Sequence, residues 1–407
     1  MLFSALAREK VLFCVLRNYQ GFPETNLGND IDLLIAPPDL PRAVRAIRSL
    51  GGVRIVGYSE RPYVANLFLE GIERNSGSRA LEVDLDIRMS WKGLPPFLST
   101  KEILEAAIPR TAGNTYFLVP SPVHEAIISL LMSLFIGGWL KEKYFPQVQE
   151  TFTGNRSEVI AALAPRFGSV EAIRLADAVI SGDRPRILGM IGRLRKALLL
   201  RSLLRQPLRS LAAIIHHHAS ELCIRHSPQL LEQVAFLAPS APGQSSIIQT
   251  LLPRLQSFAV KVESKPAARP GSGLVAGLLC WMEKEWLSLF EEKKNLTLTV
   301  RTGYGPLFHG AVGQSDPPVW LMRLIGTLTP SPALCIRLAE GAGENSAESR
   351  ADLIVRHEAC QAFLKTRKRL VVLDASLPPE TVVECAYGAI VDALVQQAAK
   401  KLNKRFR

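Results

Sequence analysis

Apolar and polar positions alternate over two stretches of the chain, without a break in the second. At residues 30–35, Ile31, Leu33 and Ile35 alternate with Asp30, Asp32 and Leu34. At residues 81–89, Leu81, Val83, Leu85, Ile87 and Met89 alternate with Glu82, Asp84, Asp86 and Arg88. A period of two belongs to a strand, whose successive side chains face opposite ways. Between these stretches, Asp39 can cap a helix over residues 40–50, which Gly51-Gly52 closes. Residues 53–58 and 63–69 read as strands, and 75–78 as a hairpin turn. Residues 10–19 read as a helix or a strand leading into the first loop. The order strand, helix, strand, strand, strand predicts a small mixed sheet with helices on one side.

Farther on, the pattern changes to longer apolar runs. Ala126 to Leu140 carries no charge, but these fifteen residues fall short of the roughly 20 that span a bilayer. A buried helix over 125–140 is expected. Residues 184–209 carry Arg184, Arg186, Arg193, Arg195, Lys196, Arg201, Arg205 and Arg209, with no acid from Arg184 to Ser220. Leu194, Leu198, Leu199, Leu203 and Leu204 sit among them at helical spacing. Such a helix can lie on anionic lipid or grip a phosphate backbone; a linker helix packed between two domains is the plainer reading. The run His216-His217-His218 cannot chelate one ion from a helix, because successive residues face different ways. Residues 233–237 read as a strand, 246–255 as a helix, 260–263 as a strand and 381–402 as a last helix. Pro/Gly/Ser-rich loops are expected at 265–273 and 341–349.

Composition bounds this picture. The chain has 407 residues, 47% hydrophobic and 21% charged, which suits two or three globular domains rather than a disordered chain. The class expected is α/β, with boundaries at 1–183, 184–230 (a basic helical linker) and 231–407. The net charge of +12 favours anionic partners: nucleotides, nucleic acid or a membrane surface. Six scattered cysteines without a Cys-x-x-Cys pair read as reduced core thiols of a cytoplasmic protein. Met1 to Lys10 lacks the long apolar region of a signal peptide. A cytoplasmic location is expected, peripheral at the inner membrane if the basic segment meets lipid. Lys400, Lys401, Lys404, Arg405 and Arg407 form a basic tail.

The first candidate chemistry lies on the alternating strands. Asp30 and Asp32 project together just after Gly28-Asn29. Like charges held that close prefer to share a proton or a cation. Mg2+ suits them, since it takes oxygen ligands. If the second strand pairs nearby, Asp84 joins them, and three carboxylates on neighbouring strands serve two-metal phosphoryl or nucleotidyl transfer. A solvated acidic face is the competing reading.

Leu16-Arg17-Asn18-Tyr19, followed after a short loop by Gly28 to Leu34, resembles the start of nucleotidyltransferase-like proteins of the polymerase-beta superfamily. The likeness is nearest to bacterial members encoded near surface-polysaccharide genes. In that superfamily a Gly-Ser turn precedes Asp-x-Asp, and a third Asp follows on a later strand. The resemblance thus implies catalytic and metal-binding roles for Asp30, Asp32 and Asp84, with Mg2+ as cofactor and a nucleoside triphosphate as substrate. Arg17-Asn18 stands near the place of the Gly-Ser turn.

A second candidate lies at residues 238–245. A phosphate loop reads Gly, four residues, then Gly-Lys-Ser/Thr, between a strand and a helix. Gly243 and Ser245 fit; Ala238 stands for the first glycine and Gln244 for the lysine. Residues 233–396 resemble a thymidylate-kinase-like domain in this loop, in Arg301 to Tyr304, in 317–332 and in 373–382. The resemblance implies a nucleotide site at Gly243, Gln244, Ser245 and Arg301. Val300 replaces the acid that precedes the arginine in that family, so a pseudokinase scaffold is expected. Two function classes follow: a metal-dependent nucleotidyltransferase, or a binding component built from two retired enzyme domains. A thymidylate-like nucleoside monophosphate kinase is a third, which Gln244 argues against.

Overall fold

The computed structural model describes residues 1–22, 30–71, 81–112, 115–226, 233–237, 241–256, 261–265, 297–302, 324, 327, 334–339 and 369–406. The class is α/β. The chain divides into two compact units, the first holding Met1–Val53, Ser59–Ile72 and Leu81–Ile224, the second Arg54–Tyr58, Glu73–Ala80 and Arg225–Arg407.

The first unit begins with α1 (Leu2–Arg8), β1 (Phe13–Val15), β2 (Asp30–Ile35) and α2 (Leu40–Arg48). Next come β3 (Val53–Arg61), β4 (Val64–Gly71) and β5 (Leu81–Asp86). These strands form one sheet in the order β1-β2-β5-β4-β3. β2 runs antiparallel to β1 and parallel to β5, so the sheet is mixed. α3 (Thr100–Glu105) follows, then the hairpin β6 (Ile108–Ala112) and β7 (Thr115–Val119). Seven helices complete the unit: α4 (Pro122–Met132), α5 (Phe145–Gly154), α6 (Arg156–Phe167), α7 (Ser169–Ile180), α8 (Arg184–Gly189), α9 (Ile191–Arg205) and α10 (Pro207–His226).

The helices bury one large core. Ile127, Leu131, Phe152, Leu163, Leu175 and Leu194 belong to it, and Cys14 and Leu34 bring the sheet in. Leu34 shares the face of Asp30 and Asp32, so that face turns from apolar to acidic along one strand. Ile31, Leu33 and Ile35 are buried as well. β2 is therefore covered on both faces, not on the one side that the element order suggested, because Leu34 packs into the helical core while the opposite face is buried as well. α8 and α9 place Ile187, Leu194 and Leu198 in this core, so the basic segment expected as a separate linker over 184–230 packs as part of the first unit.

Local chemistry sets several boundaries. Ser99 and Glu102 close a capping box at α3, and the Ser121 hydroxyl accepts from the His124 N–H at the start of α4. Asp39 does not cap α2; its carboxylate accepts from the Leu12 N–H and from Arg42. The apolar stretch expected as one helix over 125–140 breaks after Met132. A π turn at Ser133–Gly137 follows, Gly138 takes φ 75°, and Arg195 donates to the Leu134 and Phe135 carbonyls that the break frees.

In the second unit, β8 (Gln233–Leu237) leads to α11 (Ala241–Gln256), then β9 (Lys261–Lys265), β10 (Thr297–Thr302), β11 (Leu334–Ala339), β12 (Leu370–Asp374) and α12 (Pro379–Arg405). The sheet order is β12-β11-β8-β10-β9 and every ladder is parallel. Val234, Ala235 and Phe236 are all buried, as a central strand covered on both faces requires. α11 packs on α12, with Arg254 paired to Glu384.

Cys14 and Cys335 are buried and not in a disulfide, while Cys385 is exposed and not in the core. The turns at 28–29 and 75–78, the loops at 266–273 and 341–349, Ala238, Gly303-Tyr304 and nearly all of 317–332 lie outside the described residues. Among the described residues no helix is long and apolar enough to cross a membrane.

Candidate functional site

The site is built on register. β2 and β5 pair so that Asp30 faces Glu82, Asp32 faces Asp84 and Leu34 faces Asp86. On the other side of β5, Asn66 of β4 faces Asp84. Paired positions in adjacent strands project to the same face about 4.8 Å apart. A carboxylate oxygen from each of Asp30, Asp32 and Asp84 lies within 4.8 Å of the others. The sheet thus brings together the three acids that alternation selected, and adds Glu82 and Asp86 beside them.

Arg17 closes the near end. The Leu16 N–H continues the β1–β2 ladder by donating to the Asp32 carbonyl. The next residue then sends its guanidinium back over β2. Nε donates to Asp32 Oδ2 at 2.5 Å and Nη2 to Oδ1 at 2.8 Å, a two-pronged pairing that fits the planar fork of arginine. Nη2 also stands 3.9 Å from Asp30 Oδ2. Asn18 follows in the left-handed region, φ 60°, which asparagine tolerates better than most residues. Its Oδ1 accepts from Lys143 Nζ and from the Tyr144 hydroxyl, each at 3.0 Å. The Tyr19 hydroxyl donates to Glu125 Oε2 at 2.7 Å in the interior, tying this loop to α4.

Charge crowding shapes the proton affinities. Asp84 is pushed up to about 7, first by burial and then by the charge of Glu82, although Asn66 donates to its Oδ1. Glu82 is raised by burial and by Asp30. Asp86 is raised well above the ordinary carboxylate range by burial, with Asp32 adding to it. Burial alone would pull the Arg17 guanidinium down, but the hydrogen bond and charge of Asp32 hold it above its usual value. The face is an acidic cluster that carries more carboxyl groups than Arg17 can neutralise.

Asn66, Glu82, Asp86, Lys143 and Tyr144 carry part of this geometry and are not among the candidates read from the chain. Glu82 and Asp86 share the parity of Asp84, which is a signal the sequence contains. Lys143 and Tyr144 reach Asn18 across 125 and 126 positions, and no local pattern announces that.

The second set of candidates falls at the carboxyl end of β8. α11 begins at Ala241, earlier than the expected 246, so Gly243, Gln244 and Ser245 lie in its first turns. Pro242 fits there, because the first helical N–H groups have no intrahelical partner. Arg301 pairs with Ala235 of β8 and with Lys265 of β9. β10 and β11 flank β8 on opposite sides, so its carboxyl end is a topological switch point, where open parallel sheets bind ligands. The acid-bearing face and this switch point lie in separate units.

No family model matches the chain, and no curated protein matches it. Among solved structures, the signal recognition particle receptor FtsY from Elizabethkingia anophelis is similar over 67% of this chain and 91% of that chain, at 11% identity and a TM-score of 0.20. A likeness of that size carries no argument about fold or function.

Proposed function

We propose that the first unit is a nucleotidyltransferase of the polymerase-beta type, moving a nucleotidyl group from a nucleoside triphosphate to a hydroxyl acceptor. The observation that carries this reading is the convergence of Asp30, Asp32 and Asp84 within 4.8 Å on two parallel strands in matched register. Three hard oxygen donors that close are a donor set that fits Mg2+. Asp30 and Asp32 would hold the ion, and Asp84 would share it or act as base. Bound there, Mg2+ supplies charge to the transferring phosphate and acidifies the acceptor hydroxyl. In the role of base, Asp84 would accept the proton of that hydroxyl. Asn66 holds the carboxylate of Asp84 in place, and Arg17 does the same for Asp32.

By the same reading, the second unit is thymidylate-kinase-like with a degenerate phosphate loop. Gln244 and Arg301 contribute nucleotide contacts but not phosphoryl transfer. The setting is bacterial surface-polysaccharide synthesis in the cytoplasm, at the inner-membrane surface. A second reading, a scaffold built from two retired enzymes, is favoured by one observation: Arg17 already occupies both oxygens of Asp32.

The deciding experiment is Mg2+-dependent nucleotide transfer with the full chain, wild type against Asp32→Asn. Turnover should fall by about 100-fold or more, since even residues behind metal ligands are worth ~10–100-fold. Equal turnover in both proteins would remove the mechanism. Absence of turnover together with metal-independent nucleotide binding would favour the scaffold.

A further inference from the structure

α10 packs Ile214 against the core and leaves several large apolar side chains in solvent. Its inward side carries Ser210, Ala213 and His217: Ser210 is buried and donates to the Ser202 carbonyl, Ala213 abuts Gly93, and His217 stacks on Tyr63. Its exposed side mixes Arg209, His216 and His218 with large apolar residues. Leu208, Leu211, Ile215 and Leu222 are exposed, and the row continues back across the α9–α10 elbow through Leu204 and Leu200. Leu204 and Leu208 are 84% and 82% exposed, an unusual state for large apolar side chains, since such a patch marks a docking surface.

The flanking charge says what covers it. Arg193, Lys196, Arg205 and Arg209 are exposed around the row, and no acid occurs from Arg184 to Ser220. Arg195 does not belong to this set, because it turns inward to the Leu134 and Phe135 carbonyls. A second copy of the chain is a poor occupant, because a two-fold interface brings the same patch against itself and sets arginine against arginine. An anionic bilayer surface meets both features at once: acyl chains take the leucines and headgroups take the arginines. At the elbow itself a cavity of about 370 Å3 is lined by Arg201, Arg205, Gln206 and Ser210, where two guanidiniums can hold one lipid phosphate.

We infer that the α9–α10 elbow is a peripheral docking surface for anionic lipid, with its leucine row in the headgroup–acyl boundary and Arg201 and Arg205 on a headgroup phosphate. This does not depend on the chemistry proposed for the acidic face.

The test is co-sedimentation of the full chain with phosphatidylcholine vesicles, with and without phosphatidylglycerol. The wild type should bind the mixed vesicles and not the neutral ones, and added salt should release it. L204S/L208S/L211S changes only exposed positions and should weaken binding by about tenfold or more, because three leucines leave the apolar layer. R201Q/R205Q should lose most of the preference for the anionic lipid. Should the leucine variant aggregate, R193E/K196E/R209E reads the same face by charge and should also be released. No binding by the wild type at low salt, or equal binding by the leucine variant, overturns the inference. So does a wild-type dimer that the leucine variant dissolves without any lipid binding by either.

Discussion

At Asp84 a single residue reports the electrostatics of the site. Its carboxyl is pushed up to about 7 by burial and by Glu82, against an ordinary value near 4. Between those limits the folded chain binds a proton that the unfolded chain releases. Its contribution to stability is therefore full below about pH 4 and is lost as pH rises through about 7. With a chelator present, thermal melts of wild type and Asp84→Asn should diverge from pH 5 to pH 8, the variant gaining relative to the wild type. A constant difference across that range would show that the carboxyl is not held up. Alternation put Asp30 and Asp32 on one face of β2 and Glu82, Asp84 and Asp86 on one face of β5, but that the two faces coincide follows from the register of the pairing. The counter-ion was not legible in the chain. Arg17 is near in sequence, but its grip on Asp32 depends on a backbone turn at Asn18, and that turn depends on Lys143 and Tyr144, more than a hundred positions away.

Among elements, α10 is held by the loop that precedes α3. Gly93 has φ +79°, and a Cβ there would stand 2.4 Å from the Ala213 carbonyl oxygen. Gly93→Ala should cost more than about 2 kcal/mol in urea denaturation, since both backbones must move and the conformation is strained as well. Gly192→Ala is the matching control. Nothing lies within 4 Å of its Cβ position, and a helical alanine should add up to about 1 kcal/mol. Equal losses at both positions would mean that the contact with Ala213 is not what costs. The elements themselves were legible to different degrees. β8 stands at 233–237 as its apolar run indicated, since parallel core strands announce themselves by composition. The run 125–140 misled, because uncharged residues do not reveal that Gly137-Gly138 ends in a π turn which Arg195 must satisfy. α11 starts early because Pro242, which reads as a loop residue, is also a good first-turn residue.

Taken whole, the molecule joins a mixed sheet and a parallel sheet in two units. On the reading proposed above, these differ in what they do with a nucleotide. A phosphate loop needs its lysine to offset charge as the terminal phosphate moves, and Gln244 carries none. The unmodified chain should show no measurable phosphoryl transfer to a nucleoside monophosphate in a coupled assay. Ala238→Gly, Pro242→Gly and Gln244→Lys together should raise ATP affinity without bringing turnover, because Val300 still stands where an acid would be needed. Clear transfer by the unmodified chain would place the phosphate site elsewhere. Length and pattern suggested two or three domains without fixing where one ends. The attachment of α8 and α9 to the first unit could not be anticipated, since a row of leucines between arginines does not say which neighbour it will pack against.

The pairing of Arg17 with Asp32 makes the acidic face a lock with two keys. A lone cation must evict a guanidinium that has no better partner, and a lone triphosphate must approach a wall of carboxyl groups. On the function proposed above, an exchange would become available when both arrive: the cation would take the carboxylates while the guanidinium turned to the phosphates. Each visitor would then remove the obstacle facing the other, and by reciprocity each would tighten the other's hold by the same factor. On that reading, Arg17 would make the proposed site a coincidence detector rather than a passive cradle.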